Sequence, residues 1–312
     1  MQSNQLQLDK KLLLAPMAGV NDPIFRSICK RFGAFLTYSE MISAKGLEYG
    51  SAKTFNMLSY EENEPPLAVQ LFGKDPKSLA EQAFQLEQKL ADSLALIDIN
   101  MACPARKLIS KGEGAALLKQ PQLAARIISD VVNATTKPVT IKIRKGFNVN
   151  DDVAVQFAQI AQECGAAAVA IHGRSAAQMY HGRADREVVR VLKHSVSIPV
   201  IATGDVFSSE DIRSYLQDYN ADAIMIARGA QGNPWIFAGL KPTFEQRIKI
   251  AREHTLRLAN LMPRRLSSMR KHISWYLKGM PDASAIRKAV NSCVLLSDYE
   301  KFFLQIKAGL GQ

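Results

Sequence analysis

The stretch LALIDINMACP, residues 94–104, decides the fold because its character changes along its length. It starts as an apolar run, passes through Asp98 and Asn100, and ends at a lone thiol, Cys103, pinned by Pro104. A strand with one wet face alternates apolar and polar residues, whereas a strand covered on both faces is apolar almost throughout. Seven other runs share this build: LLLAPM (12–17), FLTYSEM (35–41), LAVQLFG (67–73), PVTIKIR (138–144), AAVAIHG (167–173), PVIATGD (199–205) and DAIMIARG (222–229). Between them, PKSLAEQAFQLEQKLA (76–91) and DDVAVQFAQIAQECG (151–165) carry the helical period. Eight strand–helix units in about 235 residues predict an α/β fold, a (β/α)8 TIM barrel. A doubly wound open sheet is the alternative, but no GxGxxG follows the first strand.

The strand ends support the barrel more than the count does. Nearly every run closes on residues a purely structural strand would not choose. These are Pro16, Met17 and Ala18, then Ser39 and Glu40, Gln70, Asn100 and Cys103, Lys142 and Arg144, His172 and Arg174, Gly204 and Asp205, and Arg228 and Gly229. In a barrel these ends converge on one mouth, where active sites form.

After Trp235 the strand signal stops. Residues 242–262, 264–280, 283–293 and 299–310 read as helices, so the chain divides into a barrel over 1–240 and a small all-helical domain over 241–312. The second part holds fourteen Lys and Arg against five Asp and Glu, and the first twenty-six against twenty-four. A near-neutral body with a basic appendage suits a polyanionic partner, although basic surface can also be plain solubilising charge. Four cysteines without a CxxC pair argue for a reducing cytoplasm and against both disulfides and a zinc site. Five histidines without HxH or HExxH spacing also argue against a metal. No apolar run approaches the roughly 18 residues of a membrane span, and MQSNQLQLDKK has no secretory core. A monomer is the default expectation.

The last two barrel strands end in GDVFSSED (204–211) and IARGAQGNPW (226–235), where barrels commonly bind phosphate through backbone N–H groups; Arg228 adds charge. Lys142 beside them could form a Schiff base, neutralise a phosphate or stabilise a reduced flavin. Gln70, both donor and acceptor, suits the uracil-like edge of a flavin, and His172 is either a ligand contact or a satisfied core histidine. Cys103 has four readings: core filler, metal ligand, thiolate nucleophile and general acid. Its place on a loop after Asn100 ranks acid and nucleophile about equal, both above filler.

Taken in order, LAPMAGVNDPIFR (14–26), VQLFGKDP (69–76), DINMACPARK (98–107), VTIKIRKGF (139–147), IHGRSAAQMYHG (171–182), DAIMIARGAQGNPWIF (222–237) and RKHISWYL (270–277) resemble the flavin-dependent tRNA-dihydrouridine synthases, most of all their bacterial B-type branch. The resemblance implies bound FMN reduced by NADPH, hydride delivery to C6 of a flipped-out uridine in tRNA, and protonation of C5 by Cys103 as general acid. It implies that Asn100 holds the uracil edge and that Gln70, Lys142 and His172 serve the flavin. Pro16, Met17 and Ala18 would approach its ring, and Gly204, Asp205, Arg228 and Gly229 would hold its phosphate. Arg186 matches a uracil-contacting arginine of other branches. Arg264, Arg265, Arg270, Lys271 and Lys278 are the candidate tRNA contacts. Two positions depart from the pattern: Ala102 stands where glycine is usual, and Asn21, expected to cap the following helix, where threonine is usual. The rivals are a flavoenzyme for a free pyrimidine, which would not need a basic appendage, and an RNA-binding module without catalysis.

Overall fold

The computed structural model describes residues 6–62 and 64–309. Met1–Gln5 and Leu310, the ends of the N-terminal stretch and of the last expected helix, lie outside them. Nine strands, all paired in parallel, form one sheet: β1 (Lys11–Leu14), β2 (Leu36–Tyr38), β3 (Ile42–Ser43), β4 (Leu67–Phe72), β5 (Leu94–Met101), β6 (Val139–Arg144), β7 (Ala168–His172), β8 (Val200–Thr203) and β9 (Ala223–Ile226). The β2–β4 pairing closes the sheet, and β3 is a short outrigger of the β2 run on β4. The result is the eight-stranded (β/α)8 barrel, with each apolar run of the sequence supplying one stave.

Alternation along each strand sorts side chains between two cores. Outward residues such as Ile97, Ile99, Ile141, Ile143 and Val169 pack under the helices. Inward residues, among them Leu13, Leu36, Tyr38, Leu96, Ile201 and Met225, fill the barrel around Ala68, Ala168, Ala170 and Ala223. Along β5 the inward positions are Leu96, Asp98 and Asn100, so the filling turns polar towards the C-terminal end. Their register partners, Gln70 on β4 and Thr140 and Lys142 on β6, are polar too.

The covering helices follow their sequence signals. Asp75 caps the Pro76–Leu90 helix, which buries Leu79, Ala83, Leu86 and Leu90 at helical spacing. The expected helix at 151–165 begins only at Ala154, because Asp151 turns back to accept the N–H of Asn148 at 2.7 Å. Asn21 does not cap the next helix. Asp22 does, accepting the N–H of Phe25, while Asn21 Nδ2 donates to the carbonyls of Ala15 and Tyr38, both at 2.8 Å.

Helices Phe244–Leu261, Met269–Tyr276, Ala283–Ser292 and Leu296–Gly309 form the C-terminal part, the second of them entered through a tight turn at Pro263–Ser268. None of the described helices is long and apolar enough to cross a membrane. Their core includes Ile24, Ile28 and Trp235 of the barrel, so the architecture changes near residue 240 without a break in packing. At this seam His254 Nε2 donates to both Asp22 oxygens (3.0 and 3.1 Å), and its Nδ1 meets Tyr276 Oη at 3.2 Å. His272 lies against the same carboxylate at 3.4 Å, but neither of its ring nitrogens has a hydrogen-bond partner among the described residues.

Burial, reinforced by neighbouring His254, pushes the His272 pKa down to about 3. Burial alone would raise the Asp22 carboxyl, but His254 and then His272 outweigh it and hold the group below the carboxylate range. Both groups bind fewer protons when folded than when unfolded. The stability they contribute is therefore complete above about pH 6.5 and lost as pH falls, through His272 first and Asp22 below about pH 4. His272→Phe keeps the ring packing on Phe25 and Trp275 while removing both unpartnered nitrogens. We expect its unfolding temperature to decline less than the parent's between about pH 6.5 and pH 5. Calorimetry showing equal declines would rule out His272 as the source.

Candidate active site

A cavity of about 290 Å³ opens at the C-terminal ends of the strands. Every residue expected to meet a cofactor lines it: Pro16, Met17, Ala18, Gln70, Lys142, His172, Gly204, Asp205, Arg228 and Gly229. Asn100, Ala102 and Cys103 line it too.

Cys103 is half-buried on the loop after β5 and is held from three directions. Asn100 Oδ1 accepts the N–H groups of Ala102 (3.1 Å) and Cys103 (3.0 Å). Arg144 Nε donates to the Ala102 carbonyl at 2.8 Å, and the Ala115 N–H donates to the Cys103 carbonyl at 3.1 Å. The Gly-rich segment after the cysteine thus backs the thiol. Gly114 has φ +61°, and a Cβ there would stand 2.9 Å from the Cys103 carbonyl oxygen. Ala102 is not among the residues with positive φ, so its methyl group costs no backbone strain.

Asn100 and Gln70 are partly engaged inside the site. Asn100 spends its carbonyl on the cysteine loop and one N–H on Gln70 Oε1 (2.7 Å), so it positions Cys103 and keeps its second N–H for a ligand. Gln70 is fully buried and gives one N–H to Asp98 at 2.6 Å, leaving a single donor and a single lone pair for a ligand. Arg144 is a site residue that the strand-end pattern flagged without assigning a role. Besides Ala102 it reaches the carbonyls of Ser175 (2.9 Å) and Met179 (3.0 Å), tying the loop after β5 to the loop after β7.

The cavity carries surplus positive charge. Lys142 Nζ makes no hydrogen bond among the described residues; burial, then Arg144, lowers its pKa to about 8, against the pull of Asp98 and Cys103. His172 Nδ1 accepts the Arg174 N–H at 3.2 Å, so its proton sits on Nε2. Burial, then Arg144 and Lys142, hold its pKa well below 6.5, making it a neutral donor at pH 7. Asp205 accepts two bonds from Arg174 (2.9 and 2.6 Å), one from Arg228 (2.9 Å) and one from the Ala184 N–H (2.9 Å). Its carboxylate brackets the arginines and cannot itself hold an anion. The first N–H groups of the turn at Arg228 and Gly229, and that of Gly204, have no acceptor among the loop hydrogen bonds. Both glycines are also demanded by packing: a Cβ on Gly229 would meet the Val206 carbonyl at 2.0 Å, and one on Gly204 would meet Ala184 at 3.0 Å.

Arg186, expected as a base contact, lies outside the cavity lining, paired with Asp211 and stacked 4.8 Å from the Tyr215 ring centre. Arg264, Arg265, Arg270 and Lys271 share a shallow depression with Trp275, whereas Lys278 stands apart. Arg265 is tied to Glu40 at 2.6 Å, and Arg270 Nε to the Cys293 carbonyl at 2.9 Å. Sequence spacing missed the convergence of Asp22, His254 and His272, whose ligand-type atoms lie within 4.8 Å of one another. Only folding brings those residues together.

The family model described as dihydrouridine synthase (Dus) matches residues 13–308. The tRNA-dihydrouridine synthase B of Shewanella oneidensis is 40% identical over 291 residues, covering 89% of each chain. That of Vibrio cholerae is 38% identical over 306 residues, covering 94% of each.

A cationic pocket with an unpartnered lysine should take up small oxyanions. In ligand-free protein we expect sulfate affinity, measured calorimetrically, to fall as pH rises through about 8, where Lys142 loses its charge. Lys142→Met should bind more weakly at neutral pH and lose that dependence.

Proposed function

The chain belongs to the dihydrouridine synthase family, and from that membership we propose that it reduces uridine in tRNA to 5,6-dihydrouridine with FMN as bound cofactor and NADPH as reductant. The observation that carries the reading is the meeting of Cys103, Lys142 and His172 in one cavity whose donors outnumber its acceptors. The donor set fits FMN. Arg228 with the N–H groups of Gly204 and Gly229 would take the phosphate, and Lys142 and the His172 Nε2–H the electron-rich edge of the ring. Gln70 offers its remaining N–H and lone pair, and Pro16, Met17 and Ala18 a backbone wall. FMN held there, with NADPH as reductant, would supply the hydride chemistry that no side chain can provide.

The chain's own contribution is the proton. Cys103 Sγ gives it to C5 and leaves as thiolate, a step that needs the thiol protonated and its loop held still. The target base must leave its stack, at a cost of a few kcal/mol. Basic groups of the helical part, Arg264, Arg270 and Lys271 foremost, offset that cost through phosphate contacts. Arg265, paired with Glu40, acts more as a strut, and Lys278 borders a separate surface. This basic appendage weighs against a free-pyrimidine enzyme. A presented thiol beside an unpartnered lysine weighs against a catalytically silent RNA binder.

Purified protein should be yellow, and Cys103→Ala should keep its flavin while losing about 10²- to 10⁴-fold in dihydrouridine formation on unmodified tRNA, followed by mass spectrometry. Undiminished turnover would defeat the acid role. Affinity for tRNA should fall linearly on a log–log plot against salt. Arg264→Ala and Lys271→Ala should each flatten that slope by about one; slopes equal to the parent's would take the depression out of the interface.

A further inference from the structure

One position below Asn100 on the inner face of β5, Asp98 is fully buried and does not line the cavity. The Thr140 hydroxyl donates to its Oδ1 at 2.6 Å and Gln70 Nε2 to its Oδ2 at 2.6 Å. Gln70 Oε1 in turn accepts Asn100 Nδ2 at 2.7 Å, and Asn100 Oδ1 accepts the N–H groups of Ala102 and Cys103. The chain of bonds has a direction. An amide can turn either end to a neighbour, but a carboxylate only accepts. With a carboxylate at the bottom, Gln70 must point its nitrogen down and its oxygen up. Asn100 must do the same, and only then does a carbonyl meet the loop N–H groups.

We propose that Asp98 is a positioning residue for the proton donor: through Gln70 and Asn100, its acceptor-only carboxylate fixes the orientation that latches the Cys103 loop. The inference rests on the reading of the site as a uridine reductase. A second consequence is electrostatic. Lys142 is faced by Asp98 and Cys103 from the β5 side, by Arg144 on its own strand and by His172 from β7, and Asp98 is the carboxylate that favours its charge. Burial raises the Asp98 pKa to about 6, with Thr140, Gln70 and Lys142 opposing. Protonation near that pH would convert the carboxylate into a group that can donate as well as accept, and the amide order would no longer be enforced.

The test begins with Asp98→Asn, which keeps size and bonding capacity but removes the charge and the enforced direction. We expect flavin retained, kcat on tRNA lowered about ten- to a hundredfold with KM little changed, and Cys103 alkylated several-fold faster by N-ethylmaleimide. We also expect the acid limb near pH 6 to disappear, and the basic limb to move about one unit lower as Lys142 loses its partner. A swap tests direction independently of catalysis. Asn100→Asp alone puts carboxylates at both ends of Gln70, whereas Asp98→Asn combined with Asn100→Asp lets the whole chain of bonds reverse with each one satisfied. The double variant should restore slow alkylation relative to Asn100→Asp. Equal alkylation in the two, or an Asp98→Asn enzyme with parental pH limbs, would overturn the proposal. Alkylation needs no tRNA chemistry, so an enzyme inactive on tRNA for other reasons would still show whether the latch holds.

Discussion

A closed parallel barrel must fill its own interior from alternate residues of each strand, and the other features of this protein follow from how that filling is graded. The lower part is packed with Leu, Met and Ala residues and stays dry. The upper part is built of Gln70, Asp98 and Thr140, of Asn100 and Lys142, and of Arg144 and His172, each group in register across neighbouring strands. Polar groups buried so deeply must find partners within the barrel, because an unmade bond there costs about 1–3 kcal/mol. The amides and carboxylate satisfy one another in a line that ends on a loop, while the lysine is left to meet a ligand. Filling and function are the same arrangement seen from below and from above.

The same grading sets how the cations of the mouth are held. Asp205 is saturated by two arginines, so it organises cations without cancelling the field they project. Asp98 sits one layer down and keeps Lys142 from losing its proton to burial. Removing either acid would disturb the cations in opposite ways, Asp205 by freeing their geometry and Asp98 by lowering the charge of the lysine. A site with the same cations and neither acid would hold an anion with less order.

Most of this fold was legible in the sequence because parallel strands announce themselves as apolar runs, and because barrel chemistry collects where those runs turn polar. That rule found the cofactor candidates of the cavity but missed Tyr180, Phe207 and Gln231, which also line it, and it flagged Ser39, Glu40 and Arg174, which do not. What could not be read were contacts set by closure. The pairing of Asp22 with His254 spans 232 positions, and the approach of Gly114 to the Cys103 carbonyl depends on a turn's path. Residue type also says nothing of how much of a side chain is already engaged. Asn100 and Gln70 line the cavity, yet part of their bonding capacity is consumed by each other, by Asp98 and by the cysteine loop. Arg186, singled out by the resemblance, is paired with Asp211 and stacked on Tyr215 outside the cavity lining. A motif fixes where a side chain starts; its neighbours decide where it ends.

One place where the helical part meets this chemistry is the loop after β1. Pro16, Met17, Ala18 and Val20 of that loop line the cavity, and the loop is held on the barrel side by Asn21 and on the helical side by contacts around Gly19. The Gly19 N–H donates to Glu40, Glu40 accepts Arg265, and Lys271 Nζ would stand 3.0 Å from any Cβ at Gly19. Asp22, next along the chain, anchors the seam through His254. Glycine at position 19, with φ +69°, is the residue that permits this close approach, since any side chain there would press on the lysine and strain the turn. The basic part and the cavity wall thus meet through Gly19, Glu40, Arg265 and Lys271.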